Sequence, residues 1–153
     1  LTNLQTGLLG GAIACVSAVA LLAAGAASDR SGNRIGYAAA LACVVGLAAI
    51  SAAFIPGAIG KVVAISIMQI AVIAFLGPFW ALPTMLLSGG SAAVGIALVN
   101  AIGNVGGFIG PNVIGFLRTR AGGDTGAFLV LGTMALAASA VCLAMTRSRH
   151  LAR

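Results

Sequence analysis

The sequence predicts an all-α membrane protein with five transmembrane helices, and three observations carry that prediction. Hydrophobic residues make up 61% of the 153-residue chain and charged residues 7%, with a mean hydropathy of +1.16. An aqueous domain carries about a quarter charged residues, so this chain could not cover a water-facing surface. The uncharged runs are long enough to cross a bilayer as helices, which takes roughly 20 residues. Those runs are continuous and rich in Ala, Leu and Gly. A spanning β-barrel would instead need short strands of alternating polarity. The net charge of +6 comes from basic residues at span ends and in the tail, where they anchor and orient a helical membrane protein. That placement argues for the lipid bilayer as partner and against nucleic acid.

After a short polar lead, span one is expected at about 7–27. Its Gly7, Gly11 and Cys15 repeat every four residues, a pattern that lets helices approach closely in lipid. The segment Ser28 to Arg34, SDRSGNR, is the densest charge cluster outside the tail. Gly25, Asp29, Arg30, Gly32 and Arg34 form a candidate conformational loop within and beside it. Asp29 can cap or pair at a helix end, Gly32 permits a reversal, and the two arginines can reach headgroups or terminal carbonyls. An ordinary basic anchor loop is the alternative.

Span two is expected at about 35–55, closed by Pro56 and Gly57, which mark a tight turn. Span three, about 61–87, is longer than a bilayer requires, so it is tilted, broken or both. A Ser88–Ser91 turn, SGGS, leads into span four at about 92–117. Arg118 and Arg120 close that span, a Gly122–Gly123–Asp124 turn follows, and span five runs about 125–146. The basic tail RSRHLAR ends the chain. The first residue is Leu rather than Met, as expected of a piece of a longer protein.

The residues leave little room for catalysis. There is one His, there are two Asp and there is no Glu, and none of these lies within a span. General acid–base work needs positioned titratable groups and a metal site needs clustered ligands. No enzyme activity, metal or cofactor is therefore expected. The three cysteines, Cys15, Cys43 and Cys142, sit in apolar runs and read as small packing residues.

The informative stretch is Gly77 to Pro111, inside a run from Val62 to Leu117 without a charged side chain. Pro78 and Pro83 each remove a backbone donor and disturb a helix. Irregular helices are tolerated at membrane depth where they line a cavity or face protein. Trp80, the single Trp, falls about 10 Å inside the span end at 1.5 Å per residue. That depth favours a cavity wall over an interfacial belt. Asn100 and Asn104 lie one helical turn apart on one face of span four. Amides are costly in lipid, so this face should meet a helix or water. Asn100, near mid-membrane, reads as a solute contact, while Asn104 reads as structural. Gly106, Gly107 and Gly110 would thin the helix for packing or bending, with Pro111 adding a kink.

These residues resemble a known family. The Asp29-Arg30-x-Gly32-x-Arg34 segment is similar to the loop signature between helices two and three, and again eight and nine, of major facilitator superfamily transporters. GPFWALPT followed by Asn100-x3-Asn104-x-Gly106-Gly107-Phe108-x-Gly110-Pro111 is similar to helices ten and eleven of its anion:cation symporter family. The resemblance implies that the chain is helices eight to twelve of a transporter. Helix seven and the N-terminal six-helix half would be absent from it. It implies symport of a small organic anion with a coupling proton, by alternating access in a bacterial inner membrane. It further implies that Trp80 and Asn100 face a central cavity, with Phe79 and Thr84 as weaker substrate contacts. A cation to hold the anion and a carboxylate to carry the proton are missing from these spans, so both are expected in the absent part. A sugar or drug carrier of the same superfamily is the first alternative. A small non-transporting membrane scaffold or subunit is the second.

Basic residues set the expected orientation. With the SDRSGNR loop inside, the cytoplasmic side holds Arg30, Arg34, Arg147, Arg149 and Arg153, against Lys61, Arg118 and Arg120 outside. That bias follows the positive-inside tendency and makes the C-terminus cytoplasmic.

Overall fold

A computed structural model describes residues 2–86, 90–121 and 123–151. It contains five helices: α1 (Asn3–Ser31), α2 (Arg34–Phe54), α3 (Ala58–Leu86), α4 (Gly90–Ala121) and α5 (Thr125–Leu151). All five are long and apolar enough to cross a membrane, and the described residues hold no strand. The chain is an all-α integral membrane protein with five long apolar helices. Of the expected SGGS turn, Ser88 and Gly89 lie outside the described residues while Gly90 and Ser91 already begin α4; Gly122 and the side chains of the basic tail also lie outside the described residues.

Local signals set the helix ends. Thr2 opens α1 with a capping box: its Oγ1 accepts from the Gln5 N–H while the Gln5 side chain accepts from the Thr2 N–H, satisfying two otherwise orphaned donors. Gly32 closes α1 in the left-handed region, φ 66°, which a residue with a Cβ enters only at a cost. Gly57, at φ 89°, makes the turn between α2 and α3.

The helices extend beyond the expected spans at several ends, at both ends of α1 and α4, at the start of α3 and at the end of α5, and two features stand out. First, α1 runs four residues beyond position 27, so Ser28, Asp29 and Arg30 are helical and the reversal narrows to Gly32 and Asn33. Second, α3 continues through Pro78 and Pro83, and α4 through Pro111. A broken backbone in lipid leaves carbonyls and amides without partners, so the helices absorb the prolines rather than end at them.

The packing is inverted relative to an aqueous protein. The buried apolar residues are almost all alanines, from Ala38, Ala39 and Ala42 through Ala49 and Ala52 to Ala71 and Ala74. Leu8, Leu22, Phe54, Ile59 and Phe108 are exposed. Lipid is as apolar as Leu, so membrane helices gain by close backbone approach over small residues, not by hiding large ones. Helix α2 packs mainly against α5 and α3, and α3 against α1.

Two crossings bring backbones into contact. Where α2 meets α5, a Cβ on Gly46 would lie 2.9 Å from the Gly132 carbonyl oxygen, and one on Gly132 would lie 3.0 Å from that of Gly46. Nearby, the Ser139 hydroxyl donates to the Ala39 carbonyl at 2.7 Å, a buried bond between the same two helices. Where α1 meets α3, a Cβ on Gly77 would lie 3.1 Å from the Leu21 carbonyl oxygen and 3.2 Å from the Gly25 nitrogen. The small-residue face expected at Gly7 and Gly11 is open, with no atom near either position. The α1–α3 crossing uses Gly25 instead. Helix α4 stands apart: it has no buried residue among those described and touches α5 and α3 only lightly.

Candidate functional site

The α3 segment around the Gly77–Gly25 crossing carries an aromatic cluster. Pro78 is fully buried, which fixes the helix at this point. Phe75 and Phe79, one turn apart, stack with ring centroids 5.2 Å apart. Trp80 meets Phe79 edge-on at 5.3 Å and 73°, an arrangement favoured by the ring quadrupoles. Trp80 remains 37% exposed, so its ring is positioned by the cluster yet open on one side. Pro83 is half-buried and Thr84 sits in the last turn of α3, its side chain outside the described residues.

Asn100 and Asn104 project from α4 and are both exposed. Neither amide has a hydrogen-bond partner among the described residues. Gly106, Gly107 and Gly110 have open space where a Cβ would stand, and Pro111 is exposed beside them. The neighbouring Asn112 side chain instead donates to the Phe108 carbonyl at 2.7 Å. The structure thus brings Phe75, Phe79 and Trp80 together, but leaves the α4 amides facing open space.

At the α1–α2 reversal, Asp29 and Arg34 form an ion pair. The Arg34 Nε donates to Asp29 Oδ1 at 2.8 Å, and the Gly32 N–H donates to the Asp29 carbonyl at 3.3 Å. Asn33 caps α2, its Oδ1 accepting from the Gly36 N–H at 3.0 Å. Arg30 is exposed in the last turn of α1, where a cation complements the helix dipole. Gly25 is not part of this reversal; it serves the crossing with Gly77 one turn below. At the other membrane face, Arg118 and Asp124 pair across the α4–α5 connection, and the Arg120 guanidinium lies 4.9 Å over the Phe116 ring.

One polar residue escaped the sequence reading. Gln69, with Ser66 and Ile65 of α3 and Gly10, Ile13 and Ala14 of α1, lines a groove of about 250 Å³ between the two helices. The signal was available: Gln69 is the lone amide side chain of α3, 11 positions before Trp80. In a run counted for its apolarity, a single Gln is easily passed over.

In sequence the chain is similar to proteins named as transporters. The chain is 34% identical over 151 residues to a protein of Agrobacterium vitis named "Putative tartrate transporter", an alignment covering 97% of this chain and 33% of that protein. It is 34% identical over 131 residues to the inner membrane transport protein RhmT of Escherichia coli, covering 82% and 29%. It is 30% identical over 121 residues to a quinolone resistance transporter of Acinetobacter baumannii, covering 79% and 28%. The chain therefore spans about a third of the length of the curated relatives it matches. No family model and no solved structure matches it.

Proposed function

We propose that this chain is the C-terminal five-helix part of a major facilitator transporter of the anion:cation symporter type, corresponding to helices eight to twelve. The complete protein would carry a small organic anion with a proton by alternating access. The observation that supports this reading best is the similarity to the tartrate transporter relative across nearly the whole chain. The membrane is a bacterial inner membrane, with the α1–α2 reversal and the C-terminus on the cytoplasmic side. The partners are the bilayer, the anion, the coupling proton and the N-terminal half of the same polypeptide.

The two halves divide the labour. Helices α3 and α4, with no charge between Val62 and Leu117, can shape a pathway, stack on a solute and offer neutral hydrogen bonds. They cannot select an anion or carry a proton, which require a cation and a carboxylate. Those groups belong to the N-terminal half and helix seven. Trp80 and Phe79 supply an aromatic wall, Asn100 an amide, and Thr84 a hydroxyl. Asn104 and the α4 glycines supply a face for the helices of the other half.

Uptake of radiolabelled tartrate or phthalate by the complete transporter in proteoliposomes, driven by an imposed proton gradient, tests the proposal. Saturable, gradient-dependent uptake is expected. Absence of uptake for every carboxylate tried, by folded protein, would remove the symporter reading. The quinolone resistance relative favours a second reading, export of an aromatic drug, which gradient-driven efflux of a fluoroquinolone from the same vesicles would reveal.

The reversal has its own test. The Asp29–Arg34 pair joins the ends of α1 and α2, and Asp29 is 57% exposed, so its contribution to stability is small. Its role is to hold the reversal in one arrangement while the helices tilt. Asp29→Asn is expected to lower the turnover rate about two- to fivefold with KM unchanged, matching the loss of one exposed ion pair. An unaltered turnover rate would make the reversal a simple anchor.

A further inference from the structure

Gln69 is exposed at the groove between α1 and α3, and its amide makes no hydrogen bond among the described residues. A primary amide offers two donors and an acceptor. Ser66, the other polar group of the groove, already donates its hydroxyl to the Val62 carbonyl at 2.7 Å. The remaining lining is Gly10, Ile13, Ala14 and Ile65. Gly10 has no Cβ to close the space opposite the amide, and nothing stands near where one would be.

Depth makes this amide unusual. Gln69 lies 11 residues into α3, roughly 16 Å from its start at 1.5 Å per residue, and so near the middle of the bilayer. Hydrocarbon offers an amide nothing to bond, so the group that covers Gln69 must be polar. An acyl chain filling the groove would leave the amide unsatisfied.

Direction links Gln69 to Trp80. At about 100° per residue, 11 positions bring Gln69 within about 20° of Trp80 around the helix axis, roughly 16 Å apart along it. Ile73 and Leu76 continue the same stripe between them. A pathway walled by Trp80 therefore runs along the same stripe of α3 past Gln69, toward the end of the helix that begins at Ala58.

Resting on the transport role proposed above, we infer that Gln69 is a second solute-binding residue: its amide hydrogen-bonds a carboxylate or hydroxyl of the transported anion, nearer the extracellular side than Trp80. The Ile13, Ala14 and Ile65 side chains take the carbon skeleton of the solute. The groove lacks charge, so Gln69 sets affinity and selects hydroxylated acids over plain ones, while the coupling groups lie elsewhere.

The test uses the complete transporter with Cys15, Cys43 and Cys142 replaced by Ala, and tartrate as the probe. The Gln69→Cys and Trp80→Cys variants are treated with a membrane-impermeant methanethiosulfonate reagent, with and without tartrate. Modification at both positions, slowed severalfold by tartrate, is expected. In uptake, Gln69→Ala is expected to raise KM for tartrate about tenfold with kcat little changed, as for the loss of one solute hydrogen bond, and Gln69→Asn to recover part of it. Protection of the Trp80→Cys variant with none of the Gln69→Cys variant would overturn this inference alone, leaving Gln69 as a contact to another helix. No uptake of any carboxylate tried and no protection at either position would overturn the symport reading and this inference with it.

Discussion

Gly132→Leu is expected to part α5 from α2 and lower stability by about 3 kcal/mol, the upper range for an overpacked interior. A Cβ at this position would meet Ile50 Cγ1 at 2.6 Å, the Gly46 carbonyl oxygen at 3.0 Å and the Ile50 nitrogen at 3.2 Å. The Ile50 side chain can turn away, but the other two atoms are backbone. Relief therefore requires the helices to separate, and separation stretches the buried Ser139–Ala39 bond of 2.7 Å. Water cannot replace that bond inside a bilayer. From the other side, a Cβ on Gly46 would meet the Gly132 carbonyl oxygen at 2.9 Å, so Gly46→Leu is equivalent. Gly7→Leu, at an open position, is the control. The midpoint of unfolding in mixed micelles, followed by circular dichroism, measures the difference; equal midpoints for Gly132→Leu and Gly7→Leu would mean the crossing is looser than these distances.

Why were the five helices readable while this crossing was not? Hydrophobic runs bounded by Arg30, Arg34, Lys61, Arg118 and Arg120 mark spans directly, because a charge in hydrocarbon is costly wherever it sits. Pairing is a different kind of information. Of 22 glycines, Gly46 and Gly132 differ from Gly7 and Gly11 only in what lies opposite, and that is decided by the tertiary arrangement. The four-residue repeat of Gly7, Gly11 and Cys15 pointed to a packing face that stands open here. Gly25, grouped with the charged reversal on sequence, belongs to the α1–α3 crossing beneath it.

Pro78 and Pro83 read as breaks, since each removes a donor. In lipid, stopping a helix costs more than bending it, so α3 runs through both and Pro78 becomes a buried contact beside Gly77. What could be read locally was composition: an aromatic pair at Phe79 and Trp80, and amides at Asn100 and Asn104. What could not be read was that Trp80 is braced by Phe79 and Phe75, or that Gln69 shares its stripe. Hydropathy averages over a lone amide, whereas the 3.6-residue period does not.

Trp80→Ala and Asn100→Ala are each expected to cut kcat/KM for organic-anion uptake at least tenfold, about 1.4 kcal/mol of transition-state binding, with protein level in the membrane unchanged. Trp80 packs edge-on against Phe79 yet keeps 37% of its surface free, so truncation removes a contact surface without opening a core. Stability should hardly move, because neither residue is buried. Trp80→Phe keeps a ring at the same position and should recover most of the activity, since the argument rests on the flat face and not on the indole N–H. Asn100→Ala deletes an amide exposed about 15 Å into α4 at 1.5 Å per residue, where a solute hydrogen bond is otherwise hard to replace. Asn104→Ala, one turn further along, is the discriminating partner. If α4 presents this face to the solute at Asn100 and to another helix at Asn104, the first substitution lowers kcat/KM and the second lowers the unfolding midpoint. Wild-type uptake by both Trp80→Ala and Asn100→Ala would reduce the two residues to packing elements and move the pathway elsewhere on the molecule.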